Sequence, residues 1–269
     1  MSSNEINETL TNVSKTFLEE KWNGFVDKTS DDPFIMWIFG MNGAMFVIYW
    51  SIGMIYMVFD TYNFAFLKKY KTQPGKNEPV DWIKLRKVIK RVIYNQTVVA
   101  LLYTTFMYPI LVWRGGPLMT IREIPTFSRL AIDFIGCMFF REISFYYSHR
   151  LLHHRRFYEK HHKRHHEYTA PVAVTAQYAD AMEHCWSNLM PVLLGPAVMG
   201  AHYFTTFVWL SHVILRTLSD HSGYYFPWYY NPTRHDYHHE SFTKHYGVEF
   251  FGFMDWIHGT GGEKKMKMK

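Results

Sequence analysis

The first 148 residues of this 269-residue chain contain no histidine, although sixteen follow from His149 onward. A background scatter would not leave that gap, so the histidines mark a functional region. Cysteine is scarce as well, with Cys137 and Cys185 the pair. Two cysteines in apolar runs exclude a disulfide framework and read as buried thiols. Charged residues are 19% of the chain, against 48% hydrophobic and 19% aromatic. That balance excludes a disordered, collagen-like or low-complexity chain. The first 30 residues are polar and lack the apolar run of a cleavable signal peptide, so membrane insertion is expected to rely on internal segments.

A mean hydropathy of −0.19 looks soluble, but a mean hides segregation. Pro33 to Phe59 is 27 residues without a charge, Val92 to Trp113 is 22, and Cys185 to Leu215 is 31. About 20 mostly apolar residues span a bilayer, and the core helices of soluble proteins rarely stay uncharged this long. Leu130 to Ser148 is a weaker stretch because it holds Asp133, Arg141 and Glu142. A net charge of +6 fits nucleic acid or an anionic membrane face. With these spans the membrane is the expected partner, and nucleic acid is not.

The organisation expected is a polar tail (1–32), membrane spans (33–148) with a basic connection (60–91), a histidine-rich region (149–261) containing a membrane hairpin (185–215), and a basic tail (262–269). The fold class is all-α integral membrane protein with about four transmembrane helices. Gly195-Pro196 offers the hairpin its break, because proline cannot continue the helical ladder. The 60–91 connection holds nine Lys/Arg and the 114–129 connection three. The positive-inside rule puts the first in the cytosol and the histidines with it. Trp82, Leu85, Ile89 and Val92 form a stripe flanked by Lys84, Lys87, Lys90 and Arg91. It reads as an amphipathic helix on the anionic leaflet, or as a solvated extension of the second span. Asn7 and Asn12 begin glycosylation sequons. Residues 264–269 read either as a dilysine retrieval signal or as a basic tail held by anionic lipid.

The histidines fall into His149-x3-His153-His154, His161-His162-x2-His165-His166 and His235-x2-His238-His239. Residues three and four apart share a helix face, and neutral imidazole is a common ligand for Fe, Zn and Cu. Eight or nine such ligands exceed what one ion needs and imply two metals. No cysteine or carboxylate joins them at zinc-finger or zinc-protease spacing, and two Glu-x-x-His pairs of the carboxylate-bridged kind are absent. The isolated His202, His212, His245 and His258 read as packing or hydrogen-bonding residues.

These boxes resemble the membrane-bound sterol desaturase and fatty acid hydroxylase superfamily. Tyr147–His154, His162–Pro171, Glu183-His184, Asn188–Pro196 and His221–Tyr224 resemble its C4-methylsterol oxidase branch, and Gly75–Asp81 with Asn95-Gln96 narrows the likeness further. The resemblance implies an endoplasmic reticulum membrane protein with a cytosolic di-iron cap. It implies oxidation of a lipid C–H bond with O₂ and with electrons from NAD(P)H, delivered by cytochrome b5 or its reductase. The ligands it implies are His149, His153 or His154, His162, His165, His166, His221, His235, His238 and His239. His161 falls one residue out of register, and the role of His184 stays open. Asp180 replaces a family histidine and could ligate metal, support a ligand, or mark lost chemistry. Thr217 stands where the fatty acid hydroxylase branch has another histidine. Phe145, Tyr146 and Tyr147 are expected to line the lipid's path or to form an interfacial belt. Glu142 is expected to accept a ligand N–H. The lipid is a sterol, or a fatty acyl or sphingolipid chain; the third alternative is an interaction protein with a relic metal site.

Overall fold

The structure, a computed structural model, describes residues 17–247 and 252–262. The sequons at Asn7 and Asn12 and the lysines from Lys264 to Lys269 lie outside the described residues. The described chain is helical, with no strand; one isolated antiparallel bridge joins Lys71 to Tyr224.

Helix α1 covers 17–28. Helix α2 (Pro33–Tyr62) starts where the Asp32 carboxylate accepts the Ile35 amide, and stops at Asn63 in the left-handed conformation. Helix α3 (Trp82–Arg114) is capped by Asp81. Both are long and apolar enough to cross a membrane, at 30 and 33 residues. Helix α4 (Phe127–Leu152) has 26 residues. It turns Asp133, Arg141 and Glu142 inward and leaves Phe127, Ile132, Ile135 and Phe139 exposed. This two-faced pattern explains why its composition alone is a weak membrane signal.

The amphipathic segment is the first part of α3 and continues without a break into the second span. Its buried stripe is Leu85, Val88 and Val92, packed against Val172–Ala176, while Trp82 and Ile83 are exposed. The segment does extend the second span, but its stripe is not solvated: it is directed at the protein's own loop.

The hairpin breaks later than expected. Residues 181–199 run as one helix, α5, through Gly195 and Pro196. Gly195 packs on α4, where an added Cβ would lie 2.6 Å from Cys137 Cα. Proline at 196 leaves the Val192 carbonyl without its helical donor, and the Trp209 indole N–H donates to that carbonyl at 2.8 Å. The turn comes at left-handed Gly200, and His202 then caps α6 (Tyr203–Asp220) through the Phe204 amide. Cys137 is buried as expected, whereas Cys185 is only half-buried. Helices α7 (Thr233–Ser241) and α8 (Phe253–Ile257) complete the described fold.

Candidate metal centre

Helix α4 ends in the first histidine box. His149 and His153 are four residues apart and share a face. His154 points away, exposed, its Nδ1 accepting the Arg156 amide. The other two boxes each divide their histidines in the same way. His162 and His166 turn to one group, and His165 to another. His235 and His239 turn to the second group, and His238 to the first. Residues at i+3 and i+4 lie about 100° apart around a helix, so a doubled histidine lets one turn serve two centres. A π turn at Tyr158–His162 sets the register of the second box.

The result is two clusters. Ring nitrogens of His149, His153, His162, His166 and His238 lie within 4.8 Å of one another, as do those of His165, His221, His235 and His239. Of the two candidates in the first box, His153 joins the first cluster and His154 belongs to neither. His161 also stays outside; its Nδ1 lies 3.1 Å from Asp180. Asp180 caps α5 through the Met182 amide and pairs with Arg91 and Arg164, each at 3.7 Å. His184 is buried beside Asn188 and joins neither cluster. His212 contacts the Tyr230 hydroxyl, His245 the Gly262 carbonyl, and His258 the Tyr147 hydroxyl.

The outer nitrogens are held by the chain. Nδ1 donates to the Tyr246 carbonyl from His149 (2.9 Å), to Thr217 from His221 (2.9 Å), to Lys244 from His238 (2.7 Å) and to Tyr168 from His239 (3.1 Å). His162 Nδ1 donates to Glu183 Oε1 at 2.7 Å. A neutral ring that donates at Nδ1 keeps a lone pair at Nε2. Burial, reinforced by neighbouring imidazoles, holds His162, His165, His235, His238 and His239 well below the ordinary imidazole range, so these rings are neutral.

The Nε2 atoms face inward. Their separations run 2.9 Å (His153–His162), 3.1 Å (His162–His166) and 3.1 Å (His153–His238) in the first cluster. In the second they are 2.9 Å (His221–His235), 3.2 Å (His235–His239) and 3.3 Å (His165–His221). Two nitrogens at right angles on a metal with bonds of about 2.1 Å sit about 3.0 Å apart. The donor set and its spacing therefore fit a metal site, with converging lone pairs that a cation stabilises.

Glu142 is the carboxylate expected beside a ligand ring. It lies seven residues before His149, about 10 Å down the helix, and accepts the Met254 amide at 3.1 Å. The carboxylate at a cluster ring is Glu183, which sequence reasoning singled out only as part of a family likeness. The backbone carbonyls at Tyr168, Thr217, Lys244 and Tyr246 carry no sequence signal, since any residue supplies a carbonyl.

Beside the second cluster lies a cavity of about 140 Å³ with a mostly apolar lining. Met41, Phe46, Leu193 and Val213 form part of its wall, and His165, His221 and His235 stand at one end. Phe145 lines it, Tyr146 is buried elsewhere, and Tyr147 is exposed, so the aromatic trio serves no single surface.

The fatty acid hydroxylase family model matches residues 134–260. Human fatty acid hydroxylase domain-containing protein 2 is 39% identical over 92% of this chain and 74% of its own, and the Macaca fascicularis protein is 40% identical over the same shares. Methylsterol monooxygenase 2-2 of Arabidopsis thaliana is 29% identical over 94% of this chain and 95% of its own. A very-long-chain aldehyde decarbonylase of Oryza sativa subsp. japonica is 30% identical over 79% and 81%. No solved structure matches. With its paired imidazole clusters and its likeness to these proteins over most of its length, the chain belongs to the fatty acid hydroxylase family.

Proposed function

We propose that this protein is a membrane-bound, non-haem di-iron monooxygenase that oxidises a sterol C4-methyl group. The observation carrying this reading is the apolar cavity that ends on the imidazoles of His165, His221 and His235. Two irons, one per cluster, would supply O₂ activation with electrons originating in NAD(P)H and passed on by cytochrome b5 or its reductase. Imidazole suits a metal that changes oxidation state. The chain's part is to hold, orient and keep dry. Backbone carbonyls and Glu183 fix the ring planes, and such partners also raise ligand basicity. Apolar walls accept the lipid from the bilayer and bring its reacting carbon to the cluster. Thr217 and Gln177 in the lining offer hydrogen bonds to a substrate hydroxyl, which suits a sterol better than an alkyl chain.

The second reading, an acyl-chain hydroxylase or desaturase, is favoured by the likeness to an aldehyde decarbonylase. A relic site gains nothing from Asp180, whose capping and ion-pairing role leaves both imidazole clusters complete. The same reading makes it a multi-pass endoplasmic reticulum protein, in which α4 and the α5–α6 hairpin would join α2 and α3 in the bilayer.

Two measurements test the proposal. Purified protein should contain two irons per chain, and a knockout should accumulate 4-methylsterols. Altered 2-hydroxy acyl lipids with unchanged sterols would move the assignment to the second reading. Zinc, or no metal, would sink both.

A further inference from the structure

The two histidine clusters differ in number and in what surrounds them. The first has five imidazoles and the second four. Aromatic rings wall the first. Tyr246 lies 5.2 Å from His153 and 5.6 Å from His238 between ring centres, Phe242 lies 4.8 Å from His166, and Tyr158 lies 5.8 Å from His153. Three of its five rings are braced at Nδ1, by Tyr246, Glu183 and Lys244. The cavity is lined by three of the four imidazoles of the second cluster and by none of the first. An Nδ1 with no hydrogen-bond partner occurs in both clusters, at His165 and His235 in the second and at His166 in the first.

We infer that the two metal positions are not equivalent: the four-histidine cluster is the one that meets substrate and external ligand, and the five-histidine cluster, whose His153 is half-buried, is shut off from the cavity. This rests on the two-metal reading above. The physical reason is coordination number. Five imidazoles would nearly complete the first coordination sphere of an octahedral ion. Four imidazoles leave more positions open, and the cavity leads to them. Lipid oxidation needs one metal presented to the reacting carbon. The other would then stand away from the cavity, linked to the first through the shared helical turns of the second and third boxes.

Nitric oxide, a small O₂ surrogate that gives ferrous sites an electron paramagnetic resonance signal, is the probe. The protein is loaded with two ferrous ions, verified by metal analysis, and titrated anaerobically. One equivalent of nitric oxide is expected to bind per two irons. In His235→Ala or His239→Ala, each lacking a ligand of the second cluster, the one-iron protein should lose the adduct. In His238→Ala or His166→Ala, each lacking a ligand of the first, the adduct should persist. Ligand variants can fail to fold, so Val213→Trp supplies an independent measurement with every imidazole intact. That indole fills the cavity and should slow nitric oxide binding at least tenfold with the iron content still two. Two equivalents bound, an adduct that follows the five-histidine cluster, or an unchanged rate in Val213→Trp would overturn the inference while leaving the two-metal reading in place. Failure to take up two irons would instead remove that reading, and the inference with it.

Discussion

A buried histidine ring has two nitrogens and both need a purpose. Here the inner one converges with its neighbours, and the outer one is mostly tied to the chain. His162 is the case in which the tie is a carboxylate, at 2.7 Å. Removing such a support typically lowers metal affinity 10- to 100-fold. Glu183→Ala should therefore lose metal to a chelator at 10- to 100-fold lower concentration than the parent, with Glu183→Gln in between. Equal retention in both variants would mean that Glu183 only fills space. The histidines themselves were legible from the sequence, because three- and four-residue spacing is a property of the helix. The supports were not: Glu142 shares a face with His149 but sits two turns away, whereas Glu183 reaches His162 across a fold that spacing does not reveal. The same burial sets a pH dependence. Imidazoles held well below their ordinary value stay neutral when folded but take up protons when unfolded below about pH 6.5. Unfolding is thus favoured as the pH falls. Metal-free protein should have its full thermal stability above about pH 6.5 and a falling Tm from there downward; a flat profile from pH 7.5 to 5.5 would contradict the neutral, buried rings.

The segments between the histidine boxes obey packing more than propensity. Gly195-Pro196 is a plausible break on local grounds, and the long apolar run there does fold as a hairpin. The break lies elsewhere because Trp209 compensates the proline and α4 needs a residue without a side chain at 195. Neither partner is near in sequence, which is why the position could not be read. In the same way the α3 stripe showed that a face would be buried, but not against what. Overpacking a close helix crossing costs about 1–3 kcal/mol. Gly195→Ala should lower the unfolding temperature in detergent, because its Cβ would fall 2.6 Å from Cys137 Cα. Gly43→Ala is the control: it lies on helical α2 with nothing within 4 Å of the added carbon. Alanine is favoured over glycine there by up to about 1 kcal/mol, so that variant should be as stable as the parent or more so. Equal losses in both would mean that the crossing tolerates a methyl group.

For the whole molecule the open quantity is orientation, and the fold reduces it to one binary choice. The basic connection and the metal centre occupy the same end. Lys71 bridges to Tyr224, its ammonium pairs with Asp60 at 2.7 Å, and Thr72 and Gln73 both donate to Asp236, between two cluster histidines in α7. Whichever side takes the nine Lys/Arg of 60–91 therefore takes the histidines. At the opposite connection Arg122 is paired with Asp27 at 2.8 Å and Asp31 at 3.2 Å, and Arg129 with Asp133 at 2.8 Å, so two of its three cations are already matched. The positive-inside bias then favours a cytosolic metal centre. Both connections offer exposed glycines at positive φ with open space, Gly75 and Gly116, where an inserted glycosylation acceptor disturbs little. The acceptor at 116 should be glycosylated in microsomes and the acceptor at 75 should not. The reverse pattern would put the histidines in the lumen, out of reach of a cytosolic electron donor, and the oxygenase reading would then need a lumenal source of electrons.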